Sequence, residues 1–268
     1  MKFLAAAVQM LASSDKTANL LEARRWVRAA ASEGACVVAI PEVFIWRGDK
    51  KDEREAAETI PGPTSQALAD LAREAGIYLV GGSILEAIPG SNKAYNTSLL
   101  FGPRGDLLAT YRKIHLFDVE LENGVTARES DTRQFGDAVV VAETDLCPMG
   151  LTVCYDLRFP ELYRQLAFKG AQIVFVPSAF TAYTGKAHWE PLLRARAIEN
   201  QVYVIAPDQY GRNPQSFDTH GHSMIVDPWG KILAEATEGS GIIQGEIDLD
   251  YLAKLRAELP ALAHRKLM

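Results

Sequence analysis

Three segments place a reactive side chain where an apolar strand ends. The first is Val38-Ala39-Ile40-Pro41-Glu42-Val43-Phe44, with Glu42 at the carboxyl end of a continuous apolar run. Open α/β sheets bind ligands at such strand ends. A carboxylate flanked by Pro41, Val43, Phe44 and Ile45 is partly desolvated, which suits a general base. Taken alone, a solvated carboxylate at a strand end explains Glu42 better. The second segment is Ala109 to Phe117. Alternation puts Tyr111, Lys113 and His115 on one face and Arg112 and Ile114 on the other. A solvated edge-strand cation is the plainer account of Lys113 by itself. In the third, Gly150 to Glu161, Cys154 ends a strand just before a helix-starting Pro160. A sharp strand-to-helix turn exposes such a side chain and aims backbone N–H groups around it. Helix N-termini and cations lower a thiol pKa, and the thiolate is the nucleophile.

The other residues capable of chemistry read more plainly. Cys36 lies mid-strand and Cys147 precedes Pro148, so both read as small buried hydrophobes. A Cys–His hydrolase stays open, because any of His115, His188, His220, His222 and His264 could approach Cys154 in space. His220 and His222 share a strand face, but two histidines without a third ligand motif make packing a better reading than metal binding.

The elements that position these groups alternate at first. Residues 3–9 form a short apolar strand. Residues 15–33 place Leu20, Leu21, Val27, Ala30 and Ala31 at helical spacing, with Asp15 as cap and Gly34 as stop. Ala35 to Ile40 is a strand buried on both faces. Thr64 to Ala75 is a helix, and Ile77 to Leu85 returns as strand. Asn96 to Phe101 and Asp106 to Ile114 flank a turn at Gly102-Pro103-Arg104-Gly105, which reads as a hairpin. Val139 to Glu143 and Leu151 to Cys154 are short strands, and Glu161 to Phe168 is a helix with Pro at its first turn. Ile173 to Val176 and Val202 to Ala206 are buried strands around a helix from His188 to Asn200. A second hairpin turns at Asp227-Pro228-Trp229-Gly230, then Ile242 to Ile247 is a strand and Tyr251 to Leu259 a closing helix. Helical crossovers mixed with hairpins argue against a purely parallel doubly wound sheet. Two sheets packed face to face, with helices outside, satisfy both signals.

Composition sets the limits. The 268 residues carry 28 Lys+Arg against 34 Asp+Glu, a net charge of −6. That balance argues against a general nucleic-acid or anionic-membrane binder, which needs a positive surface. No apolar run reaches the ~20 residues that span a bilayer. The N-terminal apolar stretch ends too early, at Gln9, for a secretory signal. Three cysteines, an odd and low number, point to a reducing compartment, hence the cytoplasm. No internal repeat or Pro/Gly/Ser-rich linker divides the chain, so residues 1–268 read as a single domain.

Together, Pro41-Glu42, Arg112-Lys113 and Cys154-Tyr155-Asp156 resemble the nitrilase superfamily of carbon–nitrogen hydrolases, in motif context and chain order. The likeness spans essentially the whole chain. It includes Ser178-Ala179-Phe180, Thr184-Gly185, the run His188 to Asn200, Gly221-His222-Ser223 and Asp227-Pro228-Trp229-Gly230. The resemblance implies a four-layer α-β-β-α sandwich of two mixed sheets. It implies a cofactor-free, metal-free amidase, most similar to the branch that hydrolyses small carboxylate-bearing amides to acid and ammonia. Deaminated glutathione is the first substrate it points to, then α-ketoglutaramate, then a nitrile. Glu42 would take the thiol proton of Cys154, while Lys113 and the Tyr155 N–H stabilise the oxyanion. A second family glutamate matches Glu129, to hold Lys113. A solvated charge among Arg128, Asp131 and Arg133 carries nearly equal weight for Glu129. Arg158 would meet a substrate carboxylate, although pairing with Asp156 or Glu161 reads slightly better. Phe180 and Thr184 would be wall residues. A homodimer through the helix after Cys154 and the helix ending at Asn200 is implied too. A catalytically silent scaffold is disfavoured by the intact trio. The chain departs from the branch pattern at Pro207-Asp208, at Thr219-His220 and at its C-terminus.

Overall fold

The computed structural model describes residues 1–122, 124–213 and 217–267. In chain order the first half supplies β1 (Lys2–Gln9), α1 (Lys16–Ser32), β2 (Ala35–Ala39), α2 (Glu53–Ala56), α3 (Pro63–Ala75), β3 (Tyr78–Val80), β4 (Ile84–Ala87), β5 (Ala94–Phe101), β6 (Leu107–Arg112), β7 (Asp118–Glu120), β8 (Thr126–Arg128) and β9 (Arg133–Gln134). The second half supplies β10 (Val141–Ala142), β11 (Met149–Leu151), α4 (Pro160–Phe168), β12 (Ile173–Phe175), α5 (Ala182–Asn200), β13 (Tyr203–Ala206), β14 (Tyr210–Gly211), β15 (Thr219–His220), β16 (Met224–Val226), β17 (Ile232–Glu235), β18 (Gly241–Asp248) and α6 (Leu249–Glu258).

One mixed sheet runs β18-β1-β2-β3-β5-β4, with β6 and β9 also paired to β5. The other runs β10-β11-β12-β13-β16-β17. Strand alternation decides which side chain meets which layer. Ala5, Ala7, Val37, Ala39 and Val80 pack inward with Met149, Leu151, Ile173 and Phe175 of the second sheet. Their neighbours Ala6, Val8, Val38, Ile40 and Leu79 pack outward with Ala23, Val27 and Ala30 of α1 and Leu68, Leu71 and Ala72 of α3. On the far side of the second sheet, Leu162, Tyr163 and Leu166 of α4 join Trp189, Leu193 and Ala197 of α5. The four layers are therefore helices, sheet, sheet, helices, as the sequence leads one to expect. Small alanines on β1 and β2 let the two sheets approach. Asp15 caps α1 by accepting from the Thr17 and Ala18 N–H groups.

Three local expectations need correction. The stretch 77–85 is two strands rather than one, because the chain breaks at Gly81-Gly82. Gly82 has φ +55, and a Cβ there would lie 1.9 Å from the Pro41 carbonyl oxygen. That close approach seats the turn carrying Glu42, where the Ser83 hydroxyl accepts from the Val43 N–H at 2.9 Å. The helix ending at Asn200 begins six residues earlier than His188, because the Thr181 hydroxyl caps it by accepting from the Thr184 N–H. The strand expected to reach Cys154 ends at Leu151. Thr152 and Cys154 still donate to Phe175 and Pro177 carbonyls, and then the chain turns.

Candidate active site

Glu42 sits just beyond β2 and is 3% exposed. Its Oε1 accepts from Lys113 Nζ at 2.9 Å and from Asn96 Nδ2 at 2.7 Å. Its Oε2 accepts from the Ala179 N–H at 2.9 Å. The Gln209 side-chain amide donates to its backbone carbonyl. The residue therefore has little freedom to rotate away. Lys113 follows β6 directly and is 1% exposed. Its ammonium lies between Glu42 and Glu129, whose Oε2 is 3.0 Å away. Burial works to lower its pKa, but the Glu129 and Glu42 carboxylates outweigh that and hold it above the ordinary lysine value.

Glu129 is not a solvated surface charge. Its carboxylate meets Lys113 and the Arg133 guanidinium, and it accepts from the Phe117 N–H at 2.8 Å. Burial works to raise its pKa, yet Lys113 and Arg133 prevail and bring it down to about 2. Arg133 in turn is paired with Glu53 at 2.6 Å.

Cys154 is the pivot of the strand-to-helix turn. Its φ is +48, a left-handed conformation that costs a non-glycine residue ~1–3 kcal/mol. Asp156 holds the turn. Its fully buried carboxylate accepts from the Val153 N–H, the Tyr111 hydroxyl and the His115 N–H, and meets His115 Nδ1 at 2.7 Å. Contrary to the expected lowering of the thiol pKa, burial pushes Cys154 well above the ordinary thiol value. The Glu42 charge adds to this, and Lys113 and the Ala179 amide only partly oppose it. Burial thus favours the protonated sulfur, and turning it into a nucleophile calls for a base beside it.

Glu42, Lys113, Glu129 and Cys154 all line one cavity of about 600 Å³, and Tyr155, Arg158, Phe180 and Thr184 line it with them. Tyr155 packs edge-on to Phe117, 5.0 Å between centroids. Phe180 is both packed and wall: it is buried against Trp189, and its own N–H is held by Asp208 Oδ1. The Thr184 hydroxyl bonds that of Thr181 at 2.6 Å. Among the described residues Arg158 pairs neither with Asp156, whose oxygens are already occupied, nor with Glu161. It reaches His188 Nδ1 at 3.2 Å and lies 5.3 Å from the Phe180 ring.

No histidine is among the cavity-lining residues. His115 is held by Asp156 and stacks on Phe159 at 3.6 Å. The Cys–His alternative therefore loses its base, among the described residues. His220 and His222 stack on each other, and no group of three or more His, Cys, Asp or Glu side chains poised for a metal occurs among the described residues.

The carbon–nitrogen hydrolase sequence profile matches residues 4–257. The chain belongs to the carbon–nitrogen hydrolase family. It is 45% identical over 266 residues to the deaminated glutathione amidase of Synechocystis sp., covering 98% of each chain. It is 43% identical over 264 residues to the human omega-amidase NIT2, covering 98% of this chain and 95% of that one. Nit3 of Saccharomyces cerevisiae, a nitrilase-superfamily protein, superposes with a TM-score of 0.90 at 39% identity, covering 99% of this chain and 97% of that one. The C. elegans NitFhit protein superposes at 0.92 with 37% identity, covering 99% of this chain and 65% of that one.

Within this carbon–nitrogen hydrolase three contributors escaped sequence reading: Asn96, Asp156 and the Ala179 N–H. Asp156 alone carried a signal, since a carboxylate two residues beyond a strand-end cysteine sits where a turn needs an acceptor. The others are joined to the site only by the fold.

Proposed function

We propose that this protein is an amidase that cleaves a small, linear, carboxylate-bearing amide through a thioester on Cys154. The observation that carries this reading is that Cys154 lines one buried cavity with Glu42, whose carboxylate is held by three donors, and with the Lys113 ammonium paired to it. In the first half-reaction Glu42 takes the thiol proton as sulfur attacks the amide carbon. Lys113 and the Tyr155 N–H hold the developing oxyanion. Glu42 then delivers its proton to the departing nitrogen, and the C–N bond breaks. In the second half-reaction Glu42 takes a proton from water, the hydroxide adds to the thioester carbon, the C–S bond breaks to free the acid, and Glu42 returns the proton to the Cys154 sulfur. Glu129 keeps Lys113 in place. Arg158 binds the carboxylate of the acyl half, while Phe180 and Thr184 shape the wall around it.

The first substrate is deaminated glutathione, in keeping with the Synechocystis relative. The second reading, an omega-amidase acting on α-ketoglutaramate, is favoured by the NIT2 relatives at nearly the same identity. The two differ in the leaving group. A primary amide releases ammonia, whereas deaminated glutathione, a modified tripeptide, releases a dipeptide amine. Incubating the protein with each compound and measuring both ammonia and amine decides between them. Release of neither product from any amide in the panel overturns the amidase reading.

The described helices include none long and apolar enough to cross a membrane. Free Cys36, Cys147 and Cys154 support a reducing, cytoplasmic setting. Exposed Tyr183 and Ile198 on α5, with Phe168 at the end of α4, support a homodimer through these helices. Sedimentation at micromolar concentration tests that assembly, and a monomer there counts against it.

A further inference from the structure

Six cationic side chains and three carboxylates line the cavity of a chain that is acidic overall. Three of the six have a carboxylate partner among the described residues, and of the other three, Arg47, Arg128 and Arg158, only Arg47 is buried. Lys113 and Arg133 share Glu42, Glu129 and Glu53, and Lys50 is paired with Asp131 at 2.7 Å. Arg47 differs. It is only 6% exposed, and its Nη1 is buried with no hydrogen-bond partner among the described residues. The contact recorded for its guanidinium is a long one, Nη2 to the Phe217 carbonyl at 3.5 Å, with the Phe217 ring 5.6 Å away. Glu42 and Asp208 lie within electrostatic reach without forming an ion pair with it. Burial draws its pKa down to about 10, so it stays charged at neutral pH. A buried guanidinium lacking an anion costs stability, and a functional site is where that cost is tolerated. The backbone holds it there, since the Arg47 N–H donates to the Ser13 carbonyl at 2.8 Å.

Its position says which part of a substrate it faces. Arg47 lies on the same post-β2 segment as Glu42, five residues on. In the proposed reaction Glu42 protonates the departing nitrogen, so the amine half of the amide must lie toward this segment. Arg158 stands beyond Cys154 in the turn that leads into α4, with the acyl half. We propose that Arg47 is a specificity residue that binds a carboxylate on the amine half of the substrate, so that the enzyme is built for amides carrying an acid on each side of the scissile bond. This rests on the amidase reading above and sharpens it. A dipeptide amine ending in a free carboxylate satisfies Arg47, whereas ammonia leaves it empty.

The test measures binding to the Cys154→Ala protein by calorimetry, so that it does not depend on turnover. Two ligands share a 2-oxoglutaryl acyl half joined to alanylglycine. One ends in the free acid and the other in the carboxamide. The acid is expected to bind on the order of 30-fold tighter or more, the scale of a desolvated charge pair. Adding Arg47→Gln should bring the ratio to about one, and Arg47→Lys should retain part of the preference. Should the Gln variant fail to fold, Arg47→Met serves, since removing an unpaired buried charge raises rather than lowers the melting temperature. A ratio near one before Arg47 is changed overturns the proposal. So does a ratio that survives Arg47→Gln, or no binding of either ligand. Failure of the amidase reading shows separately, as absence of product release by the unmodified enzyme.

Discussion

The two sides of the cavity handle charge in opposite ways. On the β6 side the buried charges are answered: Lys113 lies between Glu42 and Glu129, and Arg133 between Glu129 and Glu53. On the other side Arg158 faces a histidine and two aromatic rings, and Arg47 faces a carbonyl and a ring. Matched charges fix geometry and change little when a ligand arrives. Unmatched charges contribute nothing until an anion enters. The matched side is thus suited to performing the same acyl transfer on any amide, and the unmatched side to choosing among amides.

The sharpest way to break this division is at its centre. Cys154→Ser should lower turnover by about 10⁴-fold or more while leaving the melting temperature within a few degrees. Amine or ammonia release by that variant at the wild-type rate ends the thioester mechanism. One step out, Lys113→Ala should cost both activity and stability. It removes an oxyanion donor, worth about 10²–10³-fold in kcat. It also leaves Glu42 and Glu129 facing each other with less compensation, at roughly 3–5 kcal/mol in denaturant unfolding. Unchanged stability would show that Lys113 does not compensate the Glu42 and Glu129 charges.

Glu129 gives a test in pH. Its folded pKa of about 2 lies below the ordinary glutamate value of 4.5. The stability it contributes is therefore present above pH 4.5 and lost as pH falls from there toward 2. The amount is roughly 3 kcal/mol. Glu129→Gln should flatten the acid limb of the stability curve in that window relative to the parent. Parallel limbs in the two proteins would place the charge of Glu129 elsewhere than between Lys113 and Arg133.

How much of this was legible beforehand depended on sequence distance. The three reactive heads were visible because each ends or follows a strand, a local feature. The hairpin of β5 and β6 was visible from its Gly-Pro-Arg-Gly turn, and the four layers from helices interleaved with hairpins. The break at Gly81-Gly82 was not, because two glycines in an apolar run announce a weak strand and not the carbonyl of Pro41 pressing on them. Asn96 lies 54 positions from the carboxylate it serves, and Ala179 lies 137 positions away. No local pattern encodes such pairings. The thiol pKa escapes local reading for the same reason. Nearby cations are visible in the sequence, but the depth of burial and the adjacent Glu42 charge are not, and they dominate. Arg47 follows Trp46 in a stretch without period, so nothing but the fold reveals that its guanidinium is buried.

On the unmatched side the effects should be smaller and confined to substrate affinity. Arg158→Met should raise KM for carboxylate-bearing amides by about 10–100-fold with a lesser change in kcat, since a charge-assisted contact present in the ground state is removed. An equal loss in kcat would move Arg158 to the reacting centre. The smallest effect should come from His188. Arginine has no acceptor, so the 3.2 Å contact requires a lone pair on His188 Nδ1, which places the ring proton of neutral His188 on Nε2. Such a partner can steady the guanidinium without neutralising it, and the contact is solvent-exposed. His188→Ala should therefore shift KM by no more than about threefold and leave kcat alone, in line with an exposed hydrogen bond worth under ~1 kcal/mol. A tenfold rise in KM would mean that the histidine holds Arg158 as firmly as Glu129 holds Lys113, and the contrast between the two sides would vanish.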